Sequence, residues 1–234
     1  LGSLLHVARM HYYRGQAGLP ALDPVEAMRQ APGRIAWVFD RARRIWEGYA
    51  KWAPVADRFK VLSVEEEYEI RIGGNLFTAR LDLVYQGTDG RVWIDDLKST
   101  GGNVEKHHYE WDHAGQMAMI DVLGRAVLPA VFGVPYGGIT ITSICTASTF
   151  AAARAPLQIA PAWRASVLEA AREGLAAIAN DPRAAWDLPP NPEACMDRWG
   201  PCDYRDLCTR GPTEAALAEF DQAAVETLVE GAGR

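Results

Sequence analysis

Residues 81–100 read LDLVYQGTDGRVWIDDLKST, and their end carries charge where charge is expensive. Asp95, Asp96 and Lys98 sit among Trp93, Ile94 and Leu97. Strands this apolar are usually buried, and buried charges persist when they are paired or bound to a metal. If Thr88-Asp89-Gly90 is a three-residue hairpin loop with Gly90 left-handed, Gly87 faces Arg91 and Asp82 falls opposite Asp96. Lys98 then shares a face with Asp96, and Asp95 points to the other face. Directly opposed side chains have Cβ atoms about 5 Å apart, so the two carboxylates repel unless something lies between them. A divalent cation removes the conflict, and a lysine beside it can hold a water or offset charge on a phosphate. A two-residue loop would put Asp95 opposite Asp82 instead, and a plain Lys-Asp surface pair fits the same residue types.

The elements that must position these groups follow from periodicity. GSLLHVARMHYY has helical spacing, with Gly2, His6, Met10 and Tyr13 on one stripe. Residues 15–33 are rich in Gly, Pro and Ala and include a loop, with no helix expected there. IAWVFDRARRIWEGYAKWA reads as an amphipathic helix with Trp37, Ala42, Ile45 and Tyr49 apolar. Three strand-like runs follow, VLSVEEEYEIRI, FTARLDLVYQ and RVWIDDLKS, separated by Gly73-Gly74-Asn75 and by Gly87 to Gly90. A helix over 111–128, a strand GGITITSIC and a helix APAWRASVLEAAREGLAAIAND complete the core, before LPPNP. The tail PTEAALAEFDQAAVETLVEG reads as a final amphipathic helix. Three meandering strands and a helical crossover to a fourth predict an α/β fold, a mixed sheet flanked by helices.

The chain has 234 residues, 49% hydrophobic and 23% charged, enough for a large core. No apolar run approaches the roughly 20 residues of a bilayer span, and no signal-peptide pattern opens the chain, so a cytoplasmic location is expected. A net charge of −6 argues against a non-specific nucleic-acid coat but leaves room for a local basic groove. Of four cysteines, Cys145 lies in an apolar strand, whereas Cys195, Cys202 and Cys208 cluster in ACMDRWGPCDYRDLCTRG. Clustered thiols in a cytosolic chain suggest metal rather than disulfides.

Asp82 in ARLDLV and Asp96-Leu97-Lys98 in IDDLKST resemble the second and third motifs of the PD-(D/E)XK nuclease superfamily, in its RecB-type branch. Gly2-Ser3-Leu4-Leu5-His6 resembles the Gly-x-x-x-His helix that precedes them in that branch, and Gln116 in AGQMAMI its following glutamine. Ile120 stands where the branch often has Tyr, and Ala79 where it has Gly. The motifs run in order through about residue 210. The resemblance implies a restriction-endonuclease-like core over 1–185, with a Cys-rich extension and C-terminal helix over 186–234 packed on it. It implies a metal-dependent deoxyribonuclease that hydrolyses phosphodiester bonds and leaves 5′-phosphates, an exonuclease on DNA ends or single strands. His6, Asp82, Asp96 and the Leu97 carbonyl would bind Mg²⁺ or Mn²⁺. Asp82, Asp96, Lys98 and Gln116 would carry the chemistry, with Lys98 orienting or activating the water.

Most of Glu65, Glu66, Glu67 and Glu69 reads as a solvated face, with Glu66 the one nominated to lie near the metal. His11, His107, His108 and His113 read as surface groups. Trp46, Trp93 and Trp163 read as core. A subset of RecB-type nucleases, including AddB-like and CRISPR-associated adaptation proteins, holds a [4Fe-4S] cluster on four cysteines. Cys195, Cys202 and Cys208 resemble three of them, the fourth then lying before Leu1; zinc is the other occupant of such a set. The implied partners are DNA and a helicase or recombination protein, with no membrane. A different class fits the same fold: a non-catalytic DNA-binding module of a recombination or helicase complex.

Overall fold

The structure is a computed structural model that describes residues 1–32, 35–147, 150–180, 196–197 and 200–201. Three helices lead: α1 (Gly2–Gln16), α2 (Pro24–Gln30) and α3 (Ala36–Ala56). A meander follows, β1 (Lys60–Ile72), β2 (Asn75–Gln86) and β3 (Val92–Thr100). A short strap of α4 (Val104–His107) and a 3₁₀ turn (His108–Trp111) leads into α5 (Gly115–Phe132). Then come β4 (Tyr136–Cys145), β5 (Ala152–Pro156) and α6 (Pro161–Asn180). The five strands run in the order β1-β2-β3-β4-β5. All neighbours are antiparallel except β3 and β4, which are parallel and joined through α5. The mixed sheet flanked by helices is the α/β architecture that the strand pattern predicts.

Three elements differ from the sequence expectation. The helix expected over 111–128 is α5 (Gly115–Phe132), and Trp111 instead ends the 3₁₀ turn before it. The segment 15–33 contains α2, started by Asp23, whose carboxylate accepts from the Val25 and Glu26 amides, with Pro24 in the first turn. A fifth strand, β5, pairs with the outer edge of β4; its sequence AARAP carries little alternation to announce it.

Each face of the sheet has its own core. Leu4, Leu5, Ala8, Met28, Ile45, Trp46 and Tyr49 of α1–α3 pack with Ile144 on one side. Met117, Ile120, Leu123 and Leu128 of α5 pack with Ile94, Ile139 and Ile141 on the other. In length and composition α5 could cross a bilayer, but here it is the crossover helix of the sheet. On α3, Ala42, Ile45 and Tyr49 are buried as expected, whereas Trp37 is 66% exposed. Trp46 is core, and Trp163 is at the surface.

Residues Leu1–Ala176 form one compact unit and Ala177–Arg234 a second. In the second, the described strands are a two-residue pair, Met196–Asp197 with Gly200–Pro201. The expected Cys-rich set, Cys195, Cys202 and Cys208, and the expected C-terminal helix lie outside the described residues.

Candidate active site

The β2–β3 hairpin sets the register of the site. The Gly87 amide donates to the Arg91 carbonyl at 2.9 Å, and Gly90 has φ +77°, the left-handed position that a side chain would resist. Leu83 pairs with Asp95 and Tyr85 with Trp93. Continuing that register puts Asp82 beside Asp96. The ladder ends at this point, and the side chain takes over: Asp82 Oδ2 accepts the Leu97 amide at 3.0 Å.

Asp96 is 9% exposed, and burial, reinforced by the nearby Asp82 charge, pushes its pKa above the ordinary aspartate range. Lys98 Nζ stands 2.9 Å from Asp96 Oδ2 and opposes that shift. Beyond that ion pair, Oδ2 is buried with no further partner among the described residues. The lysine also lies over the Trp111 ring, 4.4 Å from its centroid.

Helix α1 brings in His6. Its first turn approaches β3 closely: a Cβ on Gly2 would stand 3.0 Å from Ser99 Oγ, so the glycine lets the helix settle there. His6 Nε2 lies 2.6 Å from Glu65 Oε1 and 3.4 Å from Asp82 Oδ1. The Glu65 hydrogen bond is the largest influence on the imidazole and raises its pKa, against burial, which lowers it. A cleft of about 400 Å³ opens beside His6, between the start of α1 and the ends of β3 and β4 at Leu97, Ser99 and Ile144.

Glu65, not Glu66, is the strand glutamate at the site. Glu66 instead accepts from the Tyr68 hydroxyl at 3.3 Å. The physical reason is a turnover of the β1–β2 ribbon. Glu65 has φ +55°, in the left-handed region that costs a non-glycine residue on the order of 1 kcal/mol. On one side of Glu65 and Asp82, Val64, Leu83 and Tyr85 pack with Tyr13 of α1; on the other, Tyr68 and Leu81 join the core beneath α5. Alternation from Val64 therefore mispredicts every later position on the strand.

Asp95, which the hairpin sends to the opposite face, is fully buried in a charged network. It pairs with Arg9 of α1 and with Arg154 Nε at 3.2 Å, and accepts from Thr140 Oγ1 at 2.6 Å and Thr142 Oγ1 at 2.7 Å. Arg154 continues to Asp57 at 2.6 Å and to the Tyr13 hydroxyl at 3.2 Å. Arg9 Nη1 reaches within 3.9 Å of Asp82 Oδ2, so the network touches the back of the site. Sequence alone shows Asp95 as a charge in need of a partner, but its partners come from α1, β4 and β5.

Gln116 is exposed in the first turn of α5, and no described hydrogen bond or ion pair joins it to Asp82, Asp96 or Lys98. His107, expected at the surface, is 3% exposed, with Nδ1 3.0 Å from Ser143 Oγ on β4. His113 is exposed.

His6, Glu65 and Asp82 offer ligand atoms all within 4.8 Å of one another. The donor set is one imidazole and hard carboxylate oxygens, with the buried Asp96 carboxylate close enough to feel the Asp82 charge, and it suits a Mg²⁺- or Mn²⁺-sized cation. A cation there and an ammonium beside it are the means by which charge on a phosphate is offset.

The sequence profile of the PD-(D/E)XK nuclease superfamily matches residues 1–209. No curated protein matches the chain significantly. Among solved structures, the fold is similar to an exonuclease candidate from Eubacterium rectale, with a TM-score of 0.54 and 11% identity over 91% of this chain and 74% of that one. A second structure, SSO0001, shares 13% identity over 74% of this chain and 72% of its own, at a TM-score of 0.35.

Proposed function

The chain belongs to the PD-(D/E)XK nuclease superfamily, and from that premise we propose that it is a metal-dependent deoxyribonuclease, working in the cytoplasm as an exonuclease on DNA ends or single strands. The observation that carries the proposal is the convergence of Asp82, Asp96 and Lys98 with His6 and Glu65 around one polar corner, with a cleft open beside His6. His6, Asp82, Asp96 and the Leu97 carbonyl would hold Mg²⁺ or Mn²⁺, with Glu65 as a further carboxylate within reach. The bound cation supplies a water of lowered pKa and a counter-charge for the scissile phosphate.

The protein's own groups do the rest. Asp82 fixes the Leu97 peptide through its amide. Asp96 and Lys98 sit side by side, so the ammonium can orient the attacking water while the carboxylate keeps the lysine in place. Gln116 would meet the DNA backbone once substrate lies across the first turn of α5. A helicase or recombination protein would present the DNA ends. A non-catalytic DNA-binding role fits the fold less well, since a site kept only for binding gains nothing from a carboxylate and an ammonium held together where burial is costly.

The deciding assay incubates the protein with Mn²⁺ or Mg²⁺ and three substrates: supercoiled plasmid, end-labelled linear duplex and single-stranded DNA. Loss of label from linear and single-stranded DNA, with EDTA abolishing it, is expected. DNA bound but uncleaved under all metals would replace the enzyme by the binding module.

His6→Ala is expected to weaken Mn²⁺ binding about tenfold or more while lowering the rate at saturating metal far less, because one ligand goes and the carboxylates stay. Calorimetric titration of Mn²⁺ reads this without DNA, and an unchanged isotherm removes His6 from the site. Glu65→Gln is expected to weaken the same isotherm.

For Cys195, Cys202 and Cys208 we propose a [4Fe-4S] cluster completed by a fourth thiolate. Anaerobically purified protein is then brown and contains iron. Colourless protein with stoichiometric zinc would make the set a zinc staple.

A further inference from the structure

Lys98 is the most mobile member of the site by chemistry, a compact charge on a four-carbon stem. A water-orienting ammonium must nevertheless stay in one place, because displacement of about 1 Å can cost on the order of 10²-fold in rate. Asp96 holds it from one side at 2.9 Å. On another side lies the Trp111 ring, 4.4 Å from Nζ to centroid.

Trp111 ends the strap between β3 and α5, and the strap is anchored next to the lysine. Asn103 Oδ1 accepts from the Glu105 and Lys106 amides at 2.8 and 3.1 Å, which starts α4. His107, one turn on, is buried and 3.0 Å from Ser143 Oγ. Ser143 is the β4 residue paired with Lys98 across the parallel ladder, so both side chains leave the sheet on the same face. His107 in turn meets Trp111 edge to face, with centroids 6.0 Å apart and an 85° angle between planes.

The indole packs against the core beneath α5, but packing alone does not call for tryptophan there. Its Nε1 is buried without a hydrogen-bond partner among the described residues, although buried indole N–H groups usually find one. A phenylalanine or leucine would fill the space without that loss. What an aromatic face adds is attraction for the ammonium, which is strongest for tryptophan.

We propose that Trp111, braced by His107 on Ser143, is a positioning residue that holds the Lys98 ammonium at the scissile phosphate. The proposal rests on the nuclease reading for its catalytic consequence, but the clamp itself can be tested without DNA or metal. Brief acetylation of the full-length protein at low reagent dose, read by peptide mass spectrometry, gives the modification rate of Lys98 against exposed Lys51. Trp111→Leu is expected to raise the relative rate at Lys98 several-fold, and Trp111→Phe to leave it near that of the unmodified protein. In cleavage assays, Trp111→Leu should lower kcat about 10- to 100-fold with KM for DNA and Mn²⁺ affinity unchanged, and Trp111→Phe should retain most of kcat. If Trp111→Leu does not fold, Trp111→Met, also without a ring, replaces it in both measurements. Unchanged acetylation at Lys98 in the ringless variant overturns the clamp. So does a Trp111→Phe protein that loses activity and melting temperature together, which is the behaviour of simple packing. A protein that cleaves nothing overturns the nuclease reading, while the acetylation rates still decide whether the clamp exists.

Discussion

Asp96→Asn is expected to reduce cleavage by about 10³-fold or more, and Lys98→Ala by about 10²- to 10³-fold, with both proteins folded. The two groups converge on one corner, and neither builds the core. Asp96 is, without a cation, a liability to the fold. Burial and Asp82 raise its pKa, so the folded state disfavours the ionised form. The sign follows: stability is greatest below the ordinary aspartate range and declines as pH rises through the raised folded-state value. An amide in place of the carboxyl cannot ionise and escapes this decline. In EDTA at neutral pH, the Asp96→Asn protein should therefore melt at the same temperature as the parent or higher. Mn²⁺ should raise the melting temperature of the parent more than that of the variant, because ligand binding to the folded state adds stability. A variant that melts well below the parent in EDTA would make Asp96 a structural residue. One that cleaves at the parent rate would remove it from the active site.

Asp95→Ala is expected to have the largest effect on stability. Asp95 is the fully buried acceptor for Arg9, Arg154, Thr140 and Thr142. Its removal leaves Arg9, with 3% of its side chain exposed, facing Arg154, with 11% exposed, across an empty corner. Breaking a buried ion network by deleting one partner typically costs about 3–5 kcal/mol. In a protein of this size that lowers the melting temperature by on the order of 10 °C. Activity falls as well, since α1 carries both Arg9 and His6. The adjacent aspartates thus separate in experiment: Asp96→Asn loses cleavage at constant stability, and Asp95→Ala loses stability first. A melting temperature within about 2 °C of the parent, well short of the loss that a broken buried pair brings, would show that Arg9 and Arg154 find other partners. Asp95 counts for little from the hairpin alone, because a residue facing away from the site has no visible task there. The structure gives it one, which is to hold α1 and β5 to the centre of the sheet.

What the sequence by itself determined is local. The loop Thr88-Asp89-Gly90 has the glycine that a left-handed position requires, and counting from it places Asp82 by Asp96. The β-branched run GGITITSIC and the apolar helix before it give the parallel crossover, since strand and helix periods need only neighbouring residues to be read. Tertiary structure decided whatever depends on a turn in the backbone or on contact between distant elements. Glu65 replaces Glu66 at the site because one left-handed residue turns the ribbon over, a conformation that no side-chain pattern signals for glutamate. His107 is buried where the strap packs on β4, and Ser143, 36 residues on, satisfies its ring nitrogen. The tryptophan beside Lys98, which the helical pattern puts at the head of the crossover helix, instead ends the 3₁₀ turn before it. Asp95 finds Arg9 across 86 residues and Arg154 across 59. Charge in a strand shows that compensation is needed, but the compensating groups are chosen by packing, which brings together residues that sequence order keeps apart.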